Sequence, residues 1–396
     1  MKLFLLILSL FINKLLKIQM YNQSMRFIIF ATIFFTVMAL LSFFISKRFI
    51  NKLHFSNKIK KYLNLFLLIN LLGVVAYLTV RYNPSVPNWA YFLLSLPIGI
   101  IFLLFIATLF YEFFSLLINK APISENRREF FKKSLDFGSI AVAGSINAKA
   151  MYNAKNIELE KVTVKIKDLK QDYRIVQLSD IHIGGLVDKQ FIANLVNRVN
   201  NLNADIVVIT GDLVDTKMKY AKPALDELKN LKSKYGTYFI VGNHEYFHDV
   251  QAIIDYVNGL GIKTLENENV YIGEDNKGFY LAGVYDVFGY RVNAYIPDLK
   301  KALKNTDNFP KVLLAHQPRF INEIDQKVDL VLSGHTHGGQ IAPFNLLVKL
   351  QQPYVKGLNQ HNDDTQIYVN KGTGFWGPPM RLGASSEISL LTITST

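Results

Sequence analysis

The stretch GHTHGG, residues 334–339, places His335 and His337 one residue apart between glycines. It follows the short apolar run 329–333, which predicts a β-strand that ends at the first of these glycines. The glycines allow the backbone to turn sharply and to approach a ligand closely. By themselves the two histidines are ambiguous, because a surface loop is as good an interpretation as a metal site. Partners elsewhere in the chain decide between the two.

Four other apolar runs each end in residues that are able to bind a metal. The runs are residues 174–178, 205–209, 238–241 and 311–314. The polar residues that follow them are Asp180, His182, Asp212, Asn243, His244 and His316. Ligands of open α/β sheets bind at the carboxyl ends of the strands, so we expect these side chains to meet His335 and His337 at one edge of a sheet. Five of the chain's eight histidines belong to this set, which a chance distribution would not produce.

Length and charge divide the chain into unlike parts. Its 396 residues predict two or three structural units. Residues 1–133 carry 16 Lys and Arg but three Asp and Glu, whereas residues 134–396 carry 28 of each kind. The excess of positive charge therefore belongs to the N-terminal third, and we expect no nucleic-acid binding. Cysteine is absent, which excludes disulfides and thiolate metal ligands.

The N-terminal third has the composition of a membrane region. Residues 27–45 and 62–80 carry no charge and residues 90–118 carry one, so each run predicts a transmembrane helix. Residues 3–18 are interrupted by polar residues and fit a fourth span, an interfacial helix or an upstream extension. We expect an all-α membrane region over residues 1–119, a basic juxtamembrane linker over 120–156 and a catalytic domain over 157–396.

Loop charges predict the orientation in the cell inner membrane. Residues 47–61 hold six Lys and Arg, whereas residues 81–89 hold only Arg81. Positively charged loops stay in the cytoplasm, so the multi-pass region should present the catalytic domain to the cytoplasm against an anionic leaflet. However, residues 127–150 resemble a twin-arginine export signal. Their internal position and Asp136 count against export, so we interpret them as a linker or an interfacial helix.

From residue 157 onward, strand-like runs alternate with amphipathic stretches, as in α/β domains. Asp188 is placed to cap a helix with an apolar face between residues 191 and 199. Residues 224–231 and 250–260 predict further crossover helices. Residues 279–284, 367–370 and 388–393 predict later strands.

The polar motifs of this domain, taken in order, resemble the signature of the calcineurin-like metallophosphoesterases. They are DxH at 180–182, GD at 211–212, GNHE at 242–245, His316 and GHxH at 334–337. The resemblance covers about residues 173–394 and implies mixed β-sheets in a sandwich flanked by helices. Residues 338–340 and 372–387 are similar to the membrane-associated bacterial branch. That branch includes the UDP-2,3-diacylglucosamine hydrolases, one group of which also joins membrane spans to a phosphoesterase domain.

The same resemblance implies two divalent metal ions that share Asp212. The first ion would be held by Asp180, His182, Asp212 and His337. The second would be held by Asp212, Asn243, His316 and His335. Nitrogen and oxygen ligands suit Mn²⁺, iron or Zn²⁺, and Mn²⁺ is the more common ion in this branch.

Four residues have expected roles in catalysis or substrate binding. Asp212, as the bridging ligand, and His244, as hydrogen-bond donor or general acid to the leaving group, are the expected catalytic residues. His244 is alternatively a structural residue behind the ligands. Asn243, His244 and Arg381 are expected to contact the substrate phosphate, although Arg381 also fits a surface salt bridge. Glu245 is expected to orient a ligand or His244 through a hydrogen bond.

Two apolar inserts flank the metal-binding motifs, at residues 285–297 and 341–355. They either grip acyl chains or enter the bilayer, or they complete the core of the domain. The sequence therefore predicts a metal-dependent hydrolase of phosphoester or pyrophosphate bonds, held in the lipid bilayer. Its most specific form hydrolyses UDP-2,3-diacylglucosamine to lipid X and UMP in lipid A biosynthesis. The alternative is a broad phosphodiesterase or phosphatase on another substrate, and a sensor without catalysis would have lost some of these ligands. No protein partner is inferred.

Overall fold

The computed structural model describes residues 23–81, 86–306 and 309–395, so the predicted segment 3–18 lies outside the described residues. The chain forms two compact units. The first comprises Met1–Thr79 and Ile100–Ala143, and the second comprises Val80–Gly99 and Gly144–Thr396. The catalytic domain thus shares its unit with a short segment from the N-terminal third, which was not predicted.

From residue 23 onward, where the description begins, three long helices occupy the predicted membrane region: α1 is Gln23–Arg48, α2 is Asn57–Val80 and α3 is Asn88–Lys120. By length and composition each is able to cross a membrane. Large apolar side chains such as Phe43, Leu72 and Phe110 are exposed on their surfaces. An aqueous surface would disfavour so many exposed apolar groups, whereas hydrocarbon would not.

The predicted basic linker is instead mostly a fourth long helix, α4, over Glu125–Lys155. Asp136 is buried on this helix within the first unit. Its carboxylate accepts hydrogen bonds from the backbone N–H of His54, at 2.6 Å, and from the hydroxyl of Tyr111, at 2.9 Å. These hydrogen bonds offset the cost of burying the Asp136 carboxylate, the group that argued against an apolar segment here.

The catalytic domain contains two six-stranded mixed sheets. The first has the strand order β1-β12-β2-β3-β4-β5, and the second has the order β10-β11-β9-β8-β7-β6. The strands of the first sheet are β1 Glu158–Ile166, β2 Tyr173–Leu178, β3 Ile206–Thr210, β4 Thr237–Ile240, β5 Lys263–Thr264 and β12 Glu387–Ser395. Those of the second are β6 Glu268–Ile272, β7 Phe279–Gly283, β8 Lys311–Leu314, β9 Leu330–Ser333, β10 Gly357–Gln360 and β11 Gln366–Val369.

The two sheets pack face to face through one apolar layer. Ile175, Val208 and Ile240 of the first sheet share this layer with Leu314 and Leu332 of the second. Each sheet buries its outer face beneath other elements, in two further clusters. The arrangement is a sandwich flanked by helices, as the sequence resemblance implied.

Six helices accompany the sheets, and three of them are single turns. They are α5 Lys189–Asn200, α6 Met218–Leu225, α7 Val250–Gly259, α8 Gly289–Val292, α9 Leu299–Ala302 and α10 Asn345–Val348. Short 3₁₀ segments lie at Ile50–Lys52, Asp226–Asn230, Glu245–Phe247, Pro318–Glu323 and His337–Gly339. The Asp188 carboxylate accepts the backbone N–H of Phe191 at 3.0 Å and so caps α5, as predicted.

Five strands end beside the predicted metal ligands: β2, β3 and β4 of the first sheet and β8 and β9 of the second. The prediction that one sheet edge carries all of these residues is therefore wrong. The two sheets are joined above their shared core by the hydrogen bond from Gln177 Nε2 to the carbonyl of Ser333, at 2.9 Å. The site consequently lies across the ends of both sheets.

Candidate metal centre

The backbone at the strand ends is unusual. Asp180, His182, Asp212, His335 and His337 all have positive φ angles, between 50° and 67°. Residues other than glycine adopt this region at a cost of roughly 1–2 kcal/mol each, although Asp and His tolerate it better than most. The backbone of Gly334 lies so close to Ser179 that a Cβ at this position would collide with Ser179 Oγ. Strain of this kind concentrates at sites where function requires a particular side-chain direction.

One group of buried donors consists of Asp180, His182 and His337. The Nε2 atoms of His182 and His337 lie 3.0 Å apart. Asp180 Oδ1 lies 3.4 Å from Nε2 of His337 and 4.0 Å from Nε2 of His182. Two ring nitrogens and one carboxylate oxygen therefore converge on a single point.

A second group consists of Asp212, His316 and His335, and Asn243 adjoins it. Nε2 of His316 lies 3.3 Å from Oδ2 of Asp212 and 3.2 Å from Oδ1 of Asn243. The same Asp212 oxygen lies 3.9 Å from Nε2 of His182 in the first group. Asp212 is thus within reach of both groups, the position required of a bridging carboxylate.

Other groups hold the donors in place from behind. The backbone carbonyl of Thr210 lies 2.8 Å from Nδ1 of His316, so Nδ1 carries a hydrogen and Nε2 is the ring nitrogen directed at Asp212. Asp180 accepts hydrogen bonds from Ser179 Oγ, at 2.6 Å, and from the backbone N–H of His335, at 2.9 Å. These contacts fix the direction of each ligand before any ion binds.

Glu245 is fully buried and orients the backbone around Asp212. Its carboxylate accepts four backbone N–H groups, from Gly242, Asp212, Leu213 and Val214, at 2.6–3.0 Å. Burial and the charge of Asp212 raise the pKa of Glu245 to about 7, against the opposing effect of these hydrogen bonds. Glu245 therefore acts on a ligand through the main chain.

His244 lies beside the cluster, where it forms a third possible donor group with His182 and Asp212. Its Nδ1 lies 2.9 Å from Oδ1 of Asp215, and its Nε2 lies 3.9 Å from Oδ2 of Asp212. Burial opposes its protonation, but the carboxylates of Asp212 and Asp215 outweigh burial and raise the pKa of His244 to about 9. The Nε2 atom of the ring is directed at the cluster.

A model of the calcineurin-like phosphoesterases matches residues 173–339, which include both donor groups. An uncharacterized metallophosphoesterase of Helicobacter pylori is 39% identical over 336 residues, covering 84% of this chain and 89% of that protein. The chain belongs to the calcineurin-like metallophosphoesterase family. It is accordingly a hydrolase of phosphoesters, from a family that binds a dinuclear metal site.

Of two further relatives, one aligns over nearly the whole chain and the other has a name that includes the word transmembrane. An uncharacterized metallophosphoesterase of Campylobacter jejuni is 37% identical and covers 93% of this chain and 99% of that protein. A Danio rerio protein named "Transmembrane protein with metallophosphoesterase domain" is 35% identical, covering 64% of this chain and 60% of that protein. None of these three names states a substrate, so the resemblance to UDP-2,3-diacylglucosamine hydrolases stays a prediction.

The donors of this metallophosphoesterase fit the expected ions. Burial lowers the pKa values of His182 and His335 to about 3, so both rings are neutral and offer lone pairs. Burial, opposed and outweighed by the nearby His316 and His244, leaves the pKa of Asp212 well below its ordinary value, so the bridging carboxylate is ionised. Two ions held there would acidify a bridging water and polarise the phosphoryl group.

We predict that Glu245→Gln weakens metal binding and stability together. An amide keeps one acceptor oxygen, so two of the four backbone N–H groups would face an NH₂ group. Each buried unsatisfied group costs about 1–3 kcal/mol, and loss of a residue that orients a ligand lowers metal affinity about 10- to 100-fold. Metal titration and thermal unfolding of the purified protein measure the two effects. Glu266→Gln, which removes a carboxylate that accepts from the Tyr285 hydroxyl, should change neither.

Arg381 differs from its expected role as a substrate-binding cation. Its side chain is completely buried, so neither a substrate contact nor a surface salt bridge is available to it. Nη1 donates to the carbonyl of Lys371 at 2.7 Å, and Nη2 donates to that of Gly374. Nη2 also lies 3.1 Å from Nδ1 of His337. Arg381 therefore packs behind His337 and holds the C-terminal loop against it.

Sequence reasoning missed four residues near His244: Asp215, His248, Phe247 and Trp376. Asp215, three residues after Asp212, pairs with the ring, and Nε2 of His248 lies 3.5 Å from Asp215 Oδ1. Trp376 and Phe247 place their rings 6.2 Å and 5.7 Å from the His244 ring. Asp215 was detectable as a second acid in GDLVD, residues 211–215, whereas no local signal in the sequence marks Trp376.

Proposed function

We propose that this protein is a membrane-anchored dinuclear-metal phosphoesterase that cleaves a phosphoester or pyrophosphate bond in an amphiphilic substrate. The observation that carries the proposal is an apolar rim beside a full set of metal donors. Phe247 and Trp376 are both partly exposed next to His244. The lipid bilayer and a phosphorylated lipid are the proposed partners, and Mn²⁺ is the proposed ion.

The insert after the GHxH motif extends this rim. Phe344, Leu346 and Leu350 are exposed there, Leu350 to 78%. The backbone of Asn345 packs closely against Gly339, which follows His337 by two residues. Of the two interpretations of this insert, the exposed side chains favour an acyl-chain or membrane contact over completion of the core.

The sequence predicts two substrates within this class, and they differ in the side of the membrane on which they occur. UDP-2,3-diacylglucosamine requires a site open to the cytoplasm, where UDP-sugars occur. A broader lipid-linked phosphodiester or phosphomonoester is available on either side. The location of the catalytic domain therefore bears directly on the substrate.

We propose that the catalytic domain faces away from the cytoplasm, opposite to the side expected from loop charges. A helix that crosses a bilayer has its two ends on opposite sides. The first end of α2 follows the basic loop at residues 47–61, which the positive-inside rule keeps in the cytoplasm. Its other end continues into Arg81, whose guanidinium lies 3.1 Å from Asp215 in the catalytic domain. An outward domain favours the broader substrate over UDP-2,3-diacylglucosamine.

This orientation requires α4 to cross the membrane as well, although α4 is more polar than α1, α2 and α3. It begins with the basic residues of the export-like signal, which would lie with the other basic loop in the cytoplasm. The carbonyl of Ala150, near its end, accepts the backbone N–H of Arg381 of the catalytic domain at 2.7 Å. Asp136 has the partners described above and so does not prevent this segment from entering the membrane.

The absence of cysteine permits a direct test of sidedness. Lys58→Cys marks the basic loop and Lys277→Cys marks an exposed turn of the catalytic domain, and each would be the sole thiol. A membrane-impermeant maleimide applied to spheroplasts should label Lys277→Cys and leave Lys58→Cys unlabelled until the membrane is permeabilised. The reverse pattern would restore the cytoplasmic orientation and the UDP-linked substrate.

Activity is tested with the full-length protein in detergent and Mn²⁺. We expect metal-dependent hydrolysis of bis(p-nitrophenyl) phosphate and of a diacyl phospholipid phosphodiester. UMP release from UDP-2,3-diacylglucosamine should be slower than either. Faster release of UMP would establish the narrower substrate, and hydrolysis of neither lipid would contradict an amphiphilic one.

We predict that Leu346→Asp combined with Leu350→Asp impairs turnover of the lipid alone. Burying each leucine against an acyl chain is worth about 1.5 kcal/mol or more, so the double change should lower kcat/KM for the lipid by at least roughly tenfold. Turnover of bis(p-nitrophenyl) phosphate should stay unchanged. Leu159→Asp, which alters an exposed leucine on edge strand β1, serves as the matched control. An equal loss on both esters would indicate damage to the metal site instead.

A further inference from the structure

Arg81 and the first turns of α3 belong to the catalytic unit and not to the unit of the long apolar helices. Three contacts attach them there. Asn88 Nδ2 donates to Oδ2 of Asp188 at 2.8 Å. The ring of Tyr91 packs on Gly185 so closely that a Cβ there would lie 2.6 Å from a ring carbon. The third contact is the ion pair of Arg81.

Arg81 occupies the one carboxylate oxygen of Asp215 that His244 does not use. Oδ1 of Asp215 lies 2.9 Å from Nδ1 of His244, and Oδ2 lies 3.1 Å from Nη2 of Arg81. The Arg81 and Asp215 side chains are only 13% and 15% exposed, so solvent screens this pair less than a surface pair. With both oxygens engaged, the plane of the carboxylate is determined, and with it the direction of the imidazole.

The same guanidinium also contacts the apolar rim. Its central carbon lies 5.5 Å from the centre of the Trp376 ring, a distance typical of a cation–π contact. Trp376 in turn stands edge-on to the ring of His244. Arg81 therefore touches both the partner of His244 and one wall of the space in front of it.

We propose that Arg81 is a positioning residue of the active site, supplied by the membrane region to the catalytic domain. It holds Asp215, and through Asp215 it keeps Nε2 of His244 directed at the metal cluster. The site is then complete only when Arg81 is paired with Asp215. This inference rests on the proposed phosphoesterase activity, which wild-type turnover tests separately.

The test compares variants of the full-length protein, with bis(p-nitrophenyl) phosphate as the first substrate and a dialkyl phosphodiester as the second. Arg81→Ala should lower kcat for the dialkyl ester about 10- to 100-fold, in the range found when residues that orient a reacting group are removed. KM and the metal content should stay at wild-type values. Arg81→Lys, which keeps the charge, should recover part of the lost rate.

Two controls separate positioning from simple docking. Asn88→Ala removes the contact of the first turn of α3 with Asp188 and should leave kcat unchanged. In an Asp215→Asn background, Arg81→Ala should cause little further loss, because two residues that act through one interaction are not additive. If Arg81→Ala does not fold, Arg81→Gln, which keeps a donor but loses the charge, is measured in its place.

Three results would overturn the inference. These are an unchanged kcat in Arg81→Ala, an equal loss in Asn88→Ala, or a loss of metal that accounts for the lost rate. An inactive wild-type protein would instead refute the proposed function. The two failures are therefore distinguishable.

Discussion

Asp212→Asn should reduce kcat by at least about a thousandfold and leave the protein with fewer than two ions per chain. One carboxylate oxygen of Asp212 lies within 3.9 Å of Nε2 in both His182 and His316, so it is the group that both ions would share. A neutral amide bridges two cations poorly. An ion contributes several kcal/mol to transition-state stabilisation, and each 1.4 kcal/mol corresponds to about a tenfold change in rate.

The substitution is chosen to preserve the fold. Asparagine tolerates the positive φ of 51° at position 212 as well as aspartate does. Elemental analysis gives the ions per chain, and kcat is measured at saturating Mn²⁺. Asp205→Asn makes the same exchange at the opposite end of β3, where the carboxylate accepts the backbone N–H of Arg174. It should keep both ions. Two ions and a wild-type rate in Asp212→Asn would refute the shared-ligand assignment.

His244→Asn should have an effect that depends on the leaving group of the ester. Because Nδ1 of His244 is held by Asp215 and Nε2 is directed at the cluster, the ring is placed to donate a proton to the departing oxygen. General acid catalysis contributes about 10²- to 10⁴-fold. We expect a loss of this size for a dialkyl phosphodiester, whose alkoxide is a poor leaving group. The loss for bis(p-nitrophenyl) phosphate should be much smaller, since p-nitrophenolate departs without protonation.

The ratio of the two rates distinguishes the two interpretations of His244. A structural residue behind the ligands would affect both esters by the same factor and would lower metal content. His361→Asn serves as a control. The ring of His361 contacts the hydroxyl of Tyr354 and belongs to none of the donor groups, so this substitution should alter neither rate. Equal losses on both esters would contradict the role of leaving-group donor.

Much of this site was predictable because metal ligands in α/β domains follow short apolar strands. The predicted runs 311–314 and 329–333 coincide with β8 and nearly with β9, and their polar neighbours meet in two donor groups. The spacing within DxH and GHxH is local, so it is visible in a single sequence. The left-handed backbone of these residues is not visible, since it results from the surrounding packing.

Other parts of the prediction failed where distant segments meet. Arg381 was expected at the substrate, but packing buries it behind His337. The donors were expected along one sheet, but they come from two sheets that pack face to face. Each error concerns burial or pairing between segments far apart in the chain, which hydrophobic periodicity does not encode.

By itself the sequence indicated the candidate metal ligands, the strands that precede them, and the positions of three apolar helices. These features depend on residue type and local spacing alone. Only the tertiary structure decided that Asp215 and Arg81 support His244, that Trp376 forms a wall beside it, and that Glu245 holds the backbone of Asp212. Arg81 and Asp215 are 134 residues apart, and their contact exists because Arg81 folds into the same compact unit as the catalytic domain.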